Sequence, residues 1–108
     1  MKNKLHFSPE SLRDLDEIWD YMMIEFCNSD ASLNVVNGIM DTIDKLKDFA
    51  EMGAPLSSVA EVETNYRFLL SGNYMVFYHP KGTNIYIDRI LYGRRDYLRF
   101  LFEDLPNN

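Results

Sequence analysis

Cysteine is almost missing from this chain. Cys27 stands alone among 108 residues, so no internal disulfide can form and no paired-thiolate metal site can be built. That composition suits a reducing compartment, and Cys27 reads as a small, semi-buried residue. No run approaches the roughly 20 apolar residues of a membrane span. The opening MKNKLHFSPE has two lysines but no apolar h-region, so no export signal is expected. Motifs for catalysis are also lacking: no phosphate-binding glycine loop, no H-E-x-x-H, no C-x-x-C and no nucleophile elbow. The two histidines, His6 and His79, are far apart in sequence and read as incidental. No metal or cofactor is expected, and the expected location is the cytoplasm with no membrane contact.

What is present suffices for one compact core over residues 1–108. Hydrophobic residues make up 46% of the chain, with seven Phe, seven Tyr and one Trp. The net charge of −6 is unevenly spread: residues 10–63 carry 13 acids against 3 bases, while residues 64–102 carry 6 bases against Asp88 and Asp96. The acidic balance argues against non-specific nucleic-acid binding, so free DNA is not an expected partner of the chain alone. The basic half permits contact with a phosphate or an acidic partner.

Residues 4–7 read as a strand. Ser8-Pro9-Glu10 reads as a helix start: a capping hydroxyl, a proline at the first helical position, and an acid at the positive end of the dipole. Leu12, Leu15, Trp19, Met22 and Phe26 follow at helical spacing, Ile18 and Met23 widen the stripe, and Arg13, Asp14, Asp16, Glu17 and Asp20 are expected mostly outside. Asn28-Ser29-Asp30 offers caps for a second helix, whose stripe is Val36, Ile39, Ile43, Leu46 and Ala50. Gly38 inside it suggests close approach of the first helix, and Met22, Met23, Met40 and Met75 read as packing. The helical hairpin is expected over about 9–51, followed by a polar linker over 56–65. Tyr66 to Leu70, Tyr74 to Tyr78 and Asn84 to Tyr92 are strands separated by Ser71-Gly72-Asn73 and Pro80-Lys81-Gly82-Thr83, giving an antiparallel meander over about 66–92. A short helix over about 95–102 would follow Gly93. The order β-α-α-β-β-β-α is an α+β fold, a helical hairpin covering one face of a small antiparallel sheet and leaving the other face available.

The chemistry-bearing residues concentrate in the meander and just past it: Arg67, Arg89, Arg94, Arg95, Tyr97 and Arg99. Guanidinium groups bind phosphate or carboxylate through paired hydrogen bonds and stack on aromatic rings. From spacing alone, three uses are open: stabilising charge in RNA cleavage, holding an acidic peptide, or pairing with helix carboxylates.

Tyr66-Arg67-Phe68-Leu69-Leu70-Ser71-Gly72-Asn73-Tyr74-Met75-Val76-Phe77-Tyr78 resembles the central hairpin of RelE/ParE toxins. Ile85-Tyr86-Ile87-Asp88-Arg89-Ile90-Leu91-Tyr92-Gly93-Arg94-Arg95-Asp96-Tyr97 resembles that family's last strand and its GRRDY-type ending, and Phe7-Ser8-Pro9-Glu10 its strand-to-helix entry. The resemblance implies the toxin of a type II toxin–antitoxin pair, neutralised by a cognate antitoxin. It offers two targets: DNA gyrase, inhibited without catalysis, or the ribosome with its mRNA, cleaved. If the chain is a ribonuclease, the implied catalytic residues are Arg67, Arg95 and Tyr97. Two further cation positions of the ribonuclease pattern fall on Leu69 and Met75, and its final tyrosine falls near Leu101. The sequence is therefore closer to the ParE-like members, in which Arg67, Arg89, Arg94, Arg95, Tyr97 and Arg99 would bind a partner or target. A member retained only to bind antitoxin is a third possibility.

Overall fold

A computed structural model of the chain describes residues 2–56 and 65–93. Arg94, Arg95, Tyr97, Arg99 and the expected terminal helix over about 95–102 lie outside the described residues, as does most of the expected linker. The elements are β1 (Lys4–Phe7), α1 (Pro9–Phe26), α2 (Ser29–Asp44), a 3-10 turn (Lys45–Lys47), β2 (Ala54–Pro55), β3 (Arg67–Ser71), β4 (Tyr74–Lys81) and β5 (Asn84–Tyr92). The sheet order is β1-β5-β4-β3-β2.

Local chemistry sets most of these boundaries. Ser8 Oγ accepts the Ser11 N–H at 3.0 Å and starts α1. Cys27 ends α1 in the left-handed region, at φ 48°, and is exposed, not semi-buried. Asn28 Oδ1 accepts from the N–H groups of Asp30 and Ala31 and starts α2. Both hairpin turns place glycine at positive φ, Gly72 at 58° and Gly82 at 62°.

Several expectations are corrected. The sheet is mixed, because β1 pairs parallel with β5, His6 opposite Tyr86 and Phe7 opposite Ile87; the helical hairpin is the crossover between them. The second helix ends at Asp44, not near Ala50. There Asn3 donates from its side chain to the Leu46 carbonyl and from its backbone N–H to the Lys47 carbonyl, so the N-terminal segment satisfies the carbonyls that end the helix. The buried line of α1 is Ser11, Asp14, Ile18 and Met22: Ile18 and Met22 belong to the expected stripe, Ser11 and Asp14 do not, and Leu12 and Phe26 are exposed.

The main core lies between the hairpin and one sheet face: Ile18 and Met22 from α1, Ile39 and Ile43 from α2, Leu46, and Leu69, Val76, Tyr78, Ile85, Ile87 and Ile90 from the sheet. Burying each such aliphatic side chain contributes about 1.5–3 kcal/mol. The opposite sheet face is only partly open. Leu56 packs with Met75 and Phe77 in a second cluster, flanked by Tyr66, Phe68 and Leu91. Successive strand residues point to opposite faces, so cover on both sides explains why Met75, Val76, Phe77 and Tyr78 are all buried. Leu56, expected in a polar linker, thus belongs to the core. Met40 is exposed. A Cβ on Gly38 would meet only Ser71 Oγ, at 3.8 Å, so close approach of α1 is not what places a glycine there.

Candidate functional site

The described arginines of the meander are engaged by the fold. Arg67 Nη1 donates to the Gly53 carbonyl at 2.8 Å, tying β3 to the segment that precedes β2. Arg89 donates from Nε to Asp14 Oδ2 at 2.8 Å and from Nη2 to Oδ1 at 3.0 Å, a bidentate pair between β5 and α1. Asp14 Oδ2 also accepts the Ile90 backbone N–H at 2.9 Å. The two side chains are only 7% and 12% exposed, and the carboxylate raises the Arg89 pKa above its ordinary value. Asp14 was expected outside and Arg89 was expected to meet a partner; the structure joins them in a buried clamp. The clamp sits beside a register shift between Phe77 and Tyr78 opposite β5, which leaves Asp88 and Arg89 crowded into one step of the ladder. It fixes the strand end from which Gly93 and the Arg94-Arg95 sequence continue.

The two ribonuclease cation positions are apolar in fact as well as in type. Leu69 is buried in the main core and Met75 in the second cluster. Leu69 keeps only 7% and Met75 only 6% of its surface exposed.

A row of rings crosses the sheet where sequence reasoning saw two unrelated histidines. His6 on β1 stacks on Tyr86 of β5 with centroids 5.0 Å apart. Tyr86 stacks on His79 of β4 at 5.1 Å. Tyr66, just before β3, meets His79 edge-on at 5.1 Å. The registers that set His6 and His79 opposite Tyr86 create this row. His79 Nδ1 and Asp88 Oδ2 are hydrogen-bonded at 2.6 Å. Burial pushes the Asp88 pKa up, opposed by the His79 hydrogen bond. Tyr66 is also raised by burial and then by the Asp88 charge. No signal within a single segment points to this row, because its members come from four separate places in the chain.

Among the described residues no cluster of three or more His, Cys, Asp or Glu could hold a metal ion, and no helix is long and apolar enough to cross a membrane.

A family model for the ParE toxin of the type II toxin–antitoxin system parDE matches residues 5–97. No curated protein matches the chain. Among solved structures, a chain of the chromosomal ParDE toxin–antitoxin system of P. aeruginosa is similar at TM-score 0.72 and 24% identity, covering 86% of this chain and 98% of that one. A chain of the toxin–antitoxin complex RelBE2 from Mycobacterium tuberculosis is similar at TM-score 0.63 and 14% identity, covering 85% and 99%. The α+β fold, two helices on a five-stranded mixed sheet, is shared with both.

Proposed function

The chain belongs to the ParE toxin family of type II toxin–antitoxin systems, and from that membership we propose that it arrests growth by binding and inhibiting DNA gyrase in the cytoplasm, without chemistry of its own, until a cognate antitoxin covers it. One observation carries the choice of gyrase over RNA. The strand positions that would stabilise phosphate charge in a ribonuclease are the buried Leu69 and Met75. Each lost charge stabiliser costs about 2.7–4 kcal/mol of barrier, so two losses leave a poor nuclease. Arg89 serves as the clamp on Asp14. Target binding then falls to Arg67 and to Arg94, Arg95, Tyr97 and Arg99, in the part of the chain that resembles the family's GRRDY ending.

The test is a supercoiling reaction with purified gyrase. Supercoiling is expected to fall as toxin is added, with an Arg94→Ala/Arg95→Ala variant much weaker. Unchanged supercoiling at saturating toxin overturns the reading.

A second reading, a ribosome-dependent ribonuclease, is favoured by one feature. His79 is held by Asp88 at 2.6 Å between two aromatic neighbours, an arrangement that orients an imidazole for proton transfer. Primer extension on translated mRNA decides it: codon-phased cuts that vanish in His79→Ala and Arg95→Ala variants would replace the gyrase reading.

A further inference from the structure

The lysines of this chain converge, although the sequence scatters them. Lys4 on β1 and Lys81 on β4 flank Asn84 of β5, each as its register partner. Ile85 and Ile87 of β5 point into the main core, so Asn84 and Tyr86 point to the other face. Lys4, Asn84 and Lys81 therefore form a row beside His6, Tyr86 and His79 on the face away from the helices, and His6 Nε2 hydrogen-bonds Asn84 Oδ1 at 2.9 Å. The two lysines are about 10 Å apart at the backbone, two strand spacings. The turn after α2 meets the same end of the sheet. Asn3 N–H donates to the Lys47 carbonyl and Lys4 N–H to the Thr83 carbonyl, each at 2.8 Å. All five lysines, Lys2, Lys4, Lys45, Lys47 and Lys81, are thereby gathered at one end of an acidic chain.

Little at this end neutralises them. Lys47 pairs with Asp44 at 2.7 Å in an exposed contact. The Asp44 pKa is lowered by Lys47 and also by the charge of Lys2, which places Lys2 within reach of the same carboxylate. Lys2, Lys4, Lys45 and Lys81 are exposed and make no ion pair among the described residues. Asp48 is the other acid beside this turn. The Arg94-Arg95 sequence follows the opposite end of β5. Tyr92 ends that strand roughly 26 Å from Asn84, where the Gly93 N–H donates to the Asn73 carbonyl.

Lysine offers a compact point charge, without the fork that fits arginine to one carboxylate. A row of such charges suits a repeating polyanion, and duplex DNA carries one charge per about 1.7 Å. A single strand would need open ring faces for its bases. Here the faces are turned on one another, His6 to Tyr86 at 21° and Tyr86 to His79 at 17°. We propose that the lysine end of the sheet binds the phosphate backbone of a nucleic-acid duplex without reading its sequence. The net charge of −6 keeps the contact weak for the chain alone. It acts when a protein partner already holds the chain beside a duplex, where charges more than about 8 Å away are screened at physiological salt. It goes beyond the gyrase reading and does not depend on it.

The test is fluorescence anisotropy of labelled duplexes of two unrelated sequences, as DNA and as RNA, titrated with the full chain between about 50 and 200 mM salt. The full chain includes the charges of Glu61, Glu63 and residues 94–108. Four lysine–phosphate contacts predict a slope of log affinity against log salt near −3.6, about −0.9 per contact. A Lys4→Gln/Lys81→Gln variant should weaken both sequences alike and flatten the slope by about 1.8. Lys4→Arg/Lys81→Arg should keep the wild-type slope. These side chains are exposed, so unchanged unfolding midpoints confirm that the variants remain folded. Tighter binding of DNA or of RNA then identifies which backbone is the partner. Four results overturn the proposal: no binding at about 50 mM salt, wild-type binding by the Lys→Gln variant, loss in an Arg94→Ala/Arg95→Ala variant instead, or tighter binding of a single strand or of an oligoglutamate of equal charge. Each of them leaves the gyrase reading standing.

Discussion

An Asp14→Ala variant will unfold with a free energy about 3–5 kcal/mol lower than the parent chain, because removing one member of a buried ion pair strands the other. The alanine leaves the Arg89 guanidinium without its bidentate acceptor, and it leaves the Ile90 N–H without the Asp14 oxygen it bonds at 2.9 Å. Both Asp14 and Arg89 are shielded from water, so solvent cannot replace the lost contacts. Urea unfolding followed by Trp19 fluorescence measures the effect. An Asp14→Leu/Arg89→Met pair should recover part of the loss, since it removes both charges and keeps apolar volume. A loss below about 1 kcal/mol for Asp14→Ala is what an exposed pair would show, and would refute the buried clamp. The clamp also has a functional side. It holds the end of β5, so its loss should weaken the proposed target binding even though the Asp14 side chain is itself buried.

Gly53→Ala should be the next most damaging change. A Cβ there would lie 2.7 Å from the Phe68 carbonyl oxygen and 2.7 Å from the Tyr78 hydroxyl. The carbonyl belongs to β3 and cannot give way without moving the sheet. The Tyr78 hydroxyl is a buried hub that accepts the Gly53 N–H and donates to the Ala50 carbonyl, each at 2.9 Å. Moving it breaks both bonds and disturbs the Gly53 carbonyl that holds Arg67. Overpacking of this kind costs roughly 1–3 kcal/mol, and lost buried hydrogen bonds add about 1 kcal/mol or more each. The unfolding midpoint in urea should fall clearly, and Arg67-dependent binding should weaken with it. Wild-type stability in Gly53→Ala would show that the segment before β2 is not locked to the sheet.

The parts of the fold that the sequence announces are those with a local cause. Ser8 and Asn28 cap their helices through bonds to residues two or three positions on. Gly72 and Gly82 mark turns because only glycine takes positive φ without strain. The arginine-rich meander and its GRRDY ending are legible as a pattern, and the family follows from them. What is not legible comes from distant partners. Asp14 looks like one more solvent-facing acid on α1 until Arg89, 75 residues away, closes on it. The parallel pairing of β1 with β5 needs the whole hairpin as crossover. The second helix stops at Asp44 because Asn3 takes the carbonyls that follow. The row His6, Tyr86, His79 and Tyr66 exists only once three strand registers are set. Leu56 looks like linker because its partners, Met75 and Phe77, lie on a sheet face that the periodicity leaves open.

The central claim is that this chain is a toxin held in check by a partner protein, and induced expression in a bacterial host tests it most directly. Growth should stop on induction and resume when the adjacent open reading frame is expressed with it. Unimpaired growth, with soluble full-length protein confirmed in the cells, would contradict the account.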